Sequence, residues 1–371
     1  MKEIEKIIEK YDNTDWSVES LALGTVVKVE ESSYRRIGAR MLVSSSGNWI
    51  GGISGGCLEG DALKRAKMAI SKDQSSIIVY DTLEDDAHQI GVGLGCNGRI
   101  EVLFTPIKKD DPNNQLEQLK QFTSSRQPNL LFQVINVMGA DKSMLGAFFT
   151  ENEVDQLSAS IGIPATEIKE KAALVRERGK SKEFWIKTES GQPFEILIEW
   201  LRPKTKIILC GDNYDVNAFV SIAHELGWEI HVAGKKRKLN KHVFDHATSV
   251  VEPEEAPKIG YDDHTAVVLM SHDYKTDLRL LRYYLKQDVP YIGLLGPKKR
   301  TMKMQNELLD IGESVILENE VNVFGPVGLD IGAESPEEIA LSISAEIIAT
   351  MRGRDGQPLR KRIGPIHERA Y

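Results

Sequence analysis

The first part of the chain alternates short apolar runs with polar stretches. Apolar runs of four to eight residues are typical of strands, and apolar residues at three- and four-residue spacing indicate helices. The predicted strands are Leu21–Val29, Met41–Ser44, Ile77–Tyr80 and Ile100–Phe104, and the predicted helices are residues 1–11 and Leu58–Ile70. This pattern predicts a mixed α+β N-terminal domain over residues 1–110.

The sequence Asp-Asp-Pro-Asn-Asn at residues 110–114 interrupts this pattern, as clusters of turn-forming residues do. Beyond it the pattern predicts helices near 115–124 and Ala165–Arg178, with strands at Leu131–Met138 and Phe194–Trp200. We interpret residues 111–200 as an extension of the first domain.

After a linker at residues 201–204, strands alternate with helices. The predicted strands are Lys206–Cys210, Glu229–Ala233, Ala266–Met270 and Tyr291–Leu295, and the predicted helices are Tyr214–Leu226, Lys275–Lys286, Lys298–Leu309 and residues 336–351. Such alternation predicts a parallel sheet with right-handed crossovers. The second half is therefore expected to be a Rossmann-like α/β domain, residues 201–352, followed by a basic tail, residues 353–371.

The last of these helices has a clear start. Ser335 is placed to be its N-cap, Pro336 occupies the first helical position, and Glu338 completes a Ser-x-x-Glu capping box.

Composition narrows the class of protein. The 371 residues carry a formal net charge of −8, which argues against nucleic acid and anionic membrane surfaces as partners. No run approaches the roughly 18 apolar residues of a membrane span, and the charged N-terminus does not resemble a signal peptide. The expected location is the cytoplasm. The three cysteines are too few for a disulfide framework or a structural zinc site.

Cys57 lies within a glycine-rich segment, Gly51–Gly60, that also contains Ser54, Gly55, Gly56 and Glu59. Glycines let backbone N–H groups approach a ligand closely, and the start of a helix attracts anions and favours the thiolate form of a nearby cysteine. This arrangement suits a soft metal or sulfur transfer. The alternative is a glycine-rich turn with a buried, inert cysteine.

A second cysteine, Cys96, follows Gly95 in another glycine-rich segment, Gly91–Gly98. If the two segments meet, two thiols and many backbone donors surround one cavity. Arg36 and Arg40, at a strand boundary, could fork onto a phosphate. The alternative for these arginines is a solvated hairpin end.

The first loop of the C-terminal domain departs from the dinucleotide-binding pattern G-x-G-x-x-G. Gly211 is present, but Asn213 and Val216 replace the other two glycines, and the basic run Lys235–Lys238 stands where an acid would bind ribose. We expect weak NAD(P) binding or none. His272 and Asp273, after the third predicted strand, could act as acid and base or cap the next helix, and capping is favoured.

Several spaced motifs together resemble the XdhC/CoxI family. They are Arg35–Val43, Ser54–Glu59 and Gly93–Ile100 in the first half, and Ser271–Asp273, Tyr291–Gly296 and Pro326–Ala345 in the second. The family usually has a glycine where Asn97 stands.

The resemblance implies a maturation factor with no catalytic residue of its own. It implies transient binding of molybdenum cofactor, sulfuration of that cofactor with a cysteine desulfurase, delivery to an apo xanthine-dehydrogenase-type hydroxylase, and a homodimer. The expected cofactor-binding residues are Ser54, Gly55, Gly56, Cys57, Glu59, Gly95, Cys96, Arg36 and Arg40, with Cys57 and Cys96 as molybdenum contacts.

Three other classes compete with this interpretation. An NAD(P)-dependent oxidoreductase is supported by the Rossmann-like half and opposed by its altered loop. A complete hydroxylase is excluded, because the sequence lacks cysteine clusters for iron–sulfur centres. A pure binding or scaffold protein is disfavoured, because that class would not explain the two cysteine-bearing segments.

Overall fold

A computed structural model describes residues 1–31, 33–81, 98–138, 142–188 and 190–363. The chain divides into two compact units, which we call the N-terminal unit, Met1–Pro203, and the C-terminal unit, Lys204–Lys361. Residues 111–200 lie in the same unit as residues 1–110. Any finer subdivision stays a prediction.

The N-terminal unit combines five helices with two antiparallel sheets among its described residues. The helices are α1 Lys2–Asp12, α2 Glu59–Lys72, α3 Gln115–Lys120, α4 Val154–Ile161 and α5 Ala165–Arg178. The strands are β1 Leu21–Glu31, β2 Arg40–Ser44, β3 Trp49–Gly51, β4 Ser76–Asp81, β5 Gly98–Ile107, β6 Asn129–Val137, β7 Phe148–Thr150, β8 Lys182–Lys187 and β9 Pro193–Leu201. The first sheet has the order β3-β2-β1-β5-β4 and the second β7-β6-β9-β8.

The two sheets pack face to face, with α2 outside the first sheet, whereas α1 and α3 pack with inner-face residues such as Leu23 and Leu131. Alternation along β1 produces this layering, because neighbouring side chains of a strand point to opposite faces. Ala22 and Val26 pack with α2, whereas Val27 packs with Ile135 and Leu197 of the second sheet. The far face of the second sheet is covered by α4 and α5.

Two ion pairs join the sheets inside this unit. The guanidinium of Arg40 in β2 meets the carboxylate of Glu199 in β9, with Nη1–Oε1 at 3.0 Å and Nη2–Oε2 at 2.5 Å. Lys28 in β1 meets Glu195, also in β9, at 3.1 Å. Both glutamates are buried, so each ion pair compensates for the hydration that its charges lose on folding.

Three connections leave the first sheet at one end. The pairings Thr25↔Arg40 and Met41↔Gly51 put the β1–β2 connection and the loop after β3 at that end. The pairings Glu31↔Gly98 and Asp81↔Arg99 put the end of β4 and the start of β5 there as well. Residues 82–97 lie outside the described residues, but the two strands that flank them both terminate at this end.

The C-terminal unit is built on one six-stranded sheet. Its strands are β10 Lys206–Cys210, β11 Glu229–Ala233, β12 Ser249–Val251, β13 Thr265–Leu269, β14 Tyr291–Leu294 and β15 Val323–Phe324. Its helices are α6 Asp215–Leu226, α7 Lys241–His246, α8 Tyr274–Tyr284, α9 Lys298–Asp310 and α10 Pro336–Met351.

All neighbouring strands of this sheet are parallel, in the order β12-β11-β10-β13-β14-β15. α6 and α10 cover one face, and α8 and α9 cover the other. The predicted Rossmann-like fold is confirmed. The predicted start of α10 is also confirmed: Ser335 and Glu338 form a reciprocal capping box, and Pro336 is the first helical residue.

Cys210 lies at the end of β10 within the core, packed with Val267 and Leu280. Burial raises the pKa of its thiol, so it stays protonated and behaves as a small apolar side chain. Among the described residues, no helix is long and apolar enough to cross a membrane.

Candidate functional site

The segment that carries Cys57 connects β3 to α2. It starts at Gly51, where φ is +81°, and a β-carbon there would lie only 2.2 Å from the carbonyl oxygen of Arg40. Only glycine tolerates this conformation and this close approach. The backbone turn that launches the segment is therefore dictated by Gly51.

Ser54 and Glu59 close the segment on itself. The carboxylate of Glu59 accepts hydrogen bonds from the N–H of Ser54 at 2.9 Å and from its hydroxyl at 2.5 Å. The Ser54 hydroxyl oxygen in turn accepts from the N–H groups of Gly56 and Leu58. Partial burial opposes ionisation of Glu59, but the hydrogen bonds outweigh it and lower the pKa of the carboxyl.

We call these hydrogen bonds the Ser54–Glu59 latch. The loop that they close leaves Cys57 exposed to solvent. Ile53 and Leu58 are buried on either side of the loop, while Gly55, Gly56 and Cys57 are exposed. α2 begins at Glu59, two residues after the cysteine. The alternative of a buried thiol at this position is therefore wrong: the thiol is held on the surface by two buried apolar residues and a hydrogen-bonded loop.

The arginines of the β1–β2 connection have different environments. Arg36 is exposed, and Arg35 binds the carboxylate of Glu3 in α1 with two contacts of 2.5 Å. Arg40 is 1% exposed, and its guanidinium binds Glu199 and the carbonyl oxygen of Gly38. Of the two arginines expected to bind a ligand, the structure places Arg36 on the surface and Arg40 in the interior.

Glu59 and Ser54 were expected to bind a ligand, and the structure shows them bonded to each other. Gly95 and Cys96 lie outside the described residues. Their role, and the expected meeting of the two cysteine-bearing segments, stay predictions. No cluster of three or more potential metal ligands occurs in the part of the chain that the structure describes.

The two buried ion pairs, Lys28–Glu195 and Arg40–Glu199, were not predicted, although the sequence contains a signal for them. β9 is apolar except for Glu195 and Glu199. Their spacing of four residues puts both on one face of a strand. Two acids on the inner face of a buried strand require cationic partners, and Lys28 and Arg40 supply them.

The C-terminal unit has a second polar cluster, at the carboxyl ends of β10 and β13. The strand order reverses between these two strands, which is where α/β proteins bind ligands. The Asn213 side chain donates to the carbonyl oxygen of Ser271 at 3.1 Å and ties the two loops together. His272, at φ +58°, places Nε2 2.7 Å from the carboxylate of Asp215.

The charges of this cluster are largely paired. Asp212 accepts from the Lys238 ammonium and from the backbone N–H of Lys235. Asp273 caps α8 by accepting from two backbone N–H groups. Those bonds lower the pKa of Asp273. The capping role predicted for Asp273 is confirmed, whereas His272 pairs with Asp215 instead.

Comparison with known proteins identifies the family of this chain. A model described as "XdhC and CoxI family" matches residues 17–81, and one described as "XdhC Rossmann domain" matches residues 207–347. Together they match more than half of the chain. The chain belongs to the XdhC/CoxI family.

Relatives within the XdhC/CoxI family span nearly the whole chain. A probable subunit of xanthine dehydrogenase from Bacillus subtilis is 29% identical over 90% of this chain and 94% of its own length. The molybdenum cofactor insertion chaperone PaoD of Escherichia coli is 22% identical over 90% of this chain and 86% of its own. A crystal structure described as a xanthine dehydrogenase from Bacillus halodurans matches with a TM-score of 0.70 and 26% identity, over 96% of this chain and 97% of that one.

Proposed function

We propose that this chain is a maturation factor for a xanthine-dehydrogenase-type molybdenum hydroxylase. It binds molybdenum cofactor as cargo, supports its sulfuration with a cysteine desulfurase, and delivers it to the apo-hydroxylase in the cytoplasm as a homodimer. The observation that carries this proposal is the exposed thiol of Cys57 on a latched glycine loop. The relative named as a cofactor insertion chaperone supports the same class of function.

The geometry of the Cys57 loop fits a cargo that must be held and then released. An exposed thiol can contact molybdenum or accept sulfur, since the thiolate is both the nucleophile and the metal-binding form of cysteine. Gly56, next to the cysteine, has nothing within 4 Å of the place where a β-carbon would stand, so the backbone beside the thiol is accessible. The Ser54–Glu59 hydrogen bonds fix the loop before any ligand arrives, which reduces the ordering cost of binding.

The connection between β4 and β5 supports a second contact. It carries Gly95 and Cys96, and β4 ends and β5 begins at the same end of the first sheet as the one from which the Cys57 loop leaves. We propose that Cys96 faces the same cargo as Cys57. We give the phosphate-binding role to Arg36 and a structural role to Arg40, because the guanidinium of Arg40 is held by Glu199.

Replacing Cys57 or Cys96 by alanine is expected to reduce activation of the apo-hydroxylase at least tenfold and to leave the fold intact. Each variant loses a thiol that the cargo contacts, and neither removes a core side chain that the structure describes. The measurement is anaerobic loading with molybdenum cofactor, followed by molybdenum and pterin quantification and by client activity. A matched control is Cys210→Ala, which removes a buried thiol and should lower stability more than delivery.

Two results would count against this role of the thiols. If both alanine variants load and deliver cofactor as well as the wild type, the thiols take no part. If the wild-type protein itself retains no pterin, the cofactor-binding function is wrong.

The competing function is an NAD(P)-dependent oxidoreductase, and the cluster at β10 and β13 disfavours it. The Asn213 side chain spans the gap that a pyrophosphate would enter, and Asp215 stands in the first turn of α6. A carboxylate at a helix start repels the phosphate that this end otherwise attracts.

Calorimetry with NAD, NADH, NADP and NADPH should therefore detect no binding tighter than about 1 mM, a free energy of roughly −4 kcal/mol. Asn213→Gly, which reopens the gap, should bind no more weakly than the wild type. Micromolar binding of any of the four by the wild type would restore the oxidoreductase as a candidate.

A further inference from the structure

Tyr34 lies in the β1–β2 connection, and its ring lies beside the Cys57 loop. A β-carbon placed on Gly55 would be 3.4, 3.5 and 3.6 Å from Cγ, Cδ1 and Cδ2 of this ring. A point that approached the ring within its plane could not be equally close to these three atoms. The Cα–Cβ direction of Gly55 therefore points at one face of the ring, and a β-carbon there would make an ordinary van der Waals contact with it.

Most of the Tyr34 side chain is nevertheless open to solvent. Tyr34 is 71% exposed, although an aromatic ring of this size usually buries 150–250 Å² in a core or an interface. A single exposed aromatic residue is ordinary on a protein surface. Tyr34 differs because the loop that lies beside its ring also carries the exposed Cys57, two residues after Gly55.

The backbone around Tyr34 is anchored. The Arg35 guanidinium binds both carboxylate oxygens of Glu3, and the Ser33 hydroxyl accepts from the N–H of Arg35. The N–H of Gly38 donates to the carbonyl oxygen of Val26 in β1. The ring is thus carried by a segment tied to α1 and to the first sheet, and its position costs little further ordering when a ligand binds.

We propose that Tyr34 is the stacking surface for the flat pterin ring system of the cargo, with Cys57 contacting the same molecule nearby. This inference rests on the proposed function and adds to it the subsite for the heteroaromatic part. Two residues of extended chain span about 7 Å at most, so one small molecule can touch both the ring of Tyr34 and the thiol of Cys57. Stacking on an aromatic ring recognises any flat heterocycle by its π-face.

The test uses the full-length protein and metal-free molybdopterin as the probe, titrated anaerobically. Without molybdenum, the contribution of a metal–thiolate bond is removed and the pterin contact is isolated. Tyr34→Ala is expected to weaken binding about tenfold, within the range measured for base–aromatic stacking. Tyr34→Phe keeps the π-face and should bind within about twofold of the wild type, whereas Tyr34→Leu keeps bulk without a π-face and should resemble Tyr34→Ala.

A matched control is Tyr214→Ala, which removes a tyrosine of similar exposure, 74%, from the C-terminal unit and should not change the affinity. Circular dichroism of each variant checks that the fold is kept.

Binding by Tyr34→Ala or Tyr34→Leu as tight as by the wild type would overturn the stacking role and leave the proposed function standing. An equal loss in Tyr34→Phe and Tyr34→Ala would assign the effect to the hydroxyl and also overturn stacking. If the wild type binds neither molybdopterin nor the complete cofactor, the proposed function falls and this inference falls with it.

Discussion

Glu199→Ala is expected to destabilise the N-terminal unit by about 3–5 kcal/mol, because it leaves the guanidinium of Arg40 buried without its counter-charge. Arg40 is 1% exposed, and both of its terminal nitrogens bind the Glu199 carboxylate. Desolvating a cation costs several kcal/mol, and after the substitution the carbonyl oxygen of Gly38 would be the one remaining hydrogen-bond partner of the guanidinium among the described residues.

Urea denaturation of the full chain, followed by tryptophan fluorescence, measures this loss. The chain has five tryptophans, and Trp228 alone lies in the C-terminal unit, so the signal reports mainly on the N-terminal unit. Lys169→Ala is a suitable control, since it breaks the exposed pair with Asp155 and should change the free energy of unfolding by less than about 1 kcal/mol. A loss below about 1 kcal/mol for Glu199→Ala would show that the pair contributes no more than a surface contact.

A double variant separates the structural role of Arg40 from a role in ligand binding. Arg40→Met with Glu199→Leu removes both charges and keeps similar volume, a replacement that is often neutral or stabilising for a buried pair. We expect this variant to fold and still to bind cofactor. A folded double variant that loses binding would return Arg40 to the ligand set.

Local sequence signals predicted the C-terminal unit well. The strand β10 has the predicted bounds, and α10 begins at the predicted Pro336. These elements are set by neighbouring residues, either an uninterrupted apolar run or a cap and its partner three positions away. Strands of two or three residues such as β7 and β15 were not predicted, because they are too short to show a period and form only through their sheet partners.

The local structure of the candidate site was predictable from the sequence, but its long-range contacts were not. The glycine pattern around Cys57 predicted a loop before a helix, which the structure confirms, and left open whether the thiol is buried; the structure shows it exposed. The contacts of Arg40 with Glu199 and of His272 with Asp215 join residues 159 and 57 positions apart. A single sequence offers no means to pair them, so it could not tell an arginine that faces a ligand from one that faces a buried acid.

The second large effect is expected for Gly51→Ala, which should destabilise the N-terminal unit by at least about 3 kcal/mol and displace the Cys57 loop. Alanine at φ +81° carries backbone strain of roughly 1–3 kcal/mol. Its β-carbon would also lie 2.2 Å from the carbonyl oxygen of Arg40, which accepts the N–H of Gly52. That obstacle is backbone, so no side-chain rotation relieves it, and the end of the β2–β3 pairing must move.

Two other glycines of the segment Gly51–Gly60 separate the backbone strain from the steric clash. Gly56 has φ +112° but nothing within 4 Å of an added β-carbon, so Gly56→Ala should cost the backbone strain alone, roughly 1–3 kcal/mol. Gly60 lies in α2 with open space around it, and Gly60→Ala should stabilise by up to about 1 kcal/mol through helix propensity. Urea denaturation gives all three values, and cofactor loading of the folded fraction reports the loop. If Gly51→Ala proves no more destabilising than Gly56→Ala, the close approach to Arg40 does not position the Cys57 loop, and the latch between Ser54 and Glu59 must hold it without help from the sheet.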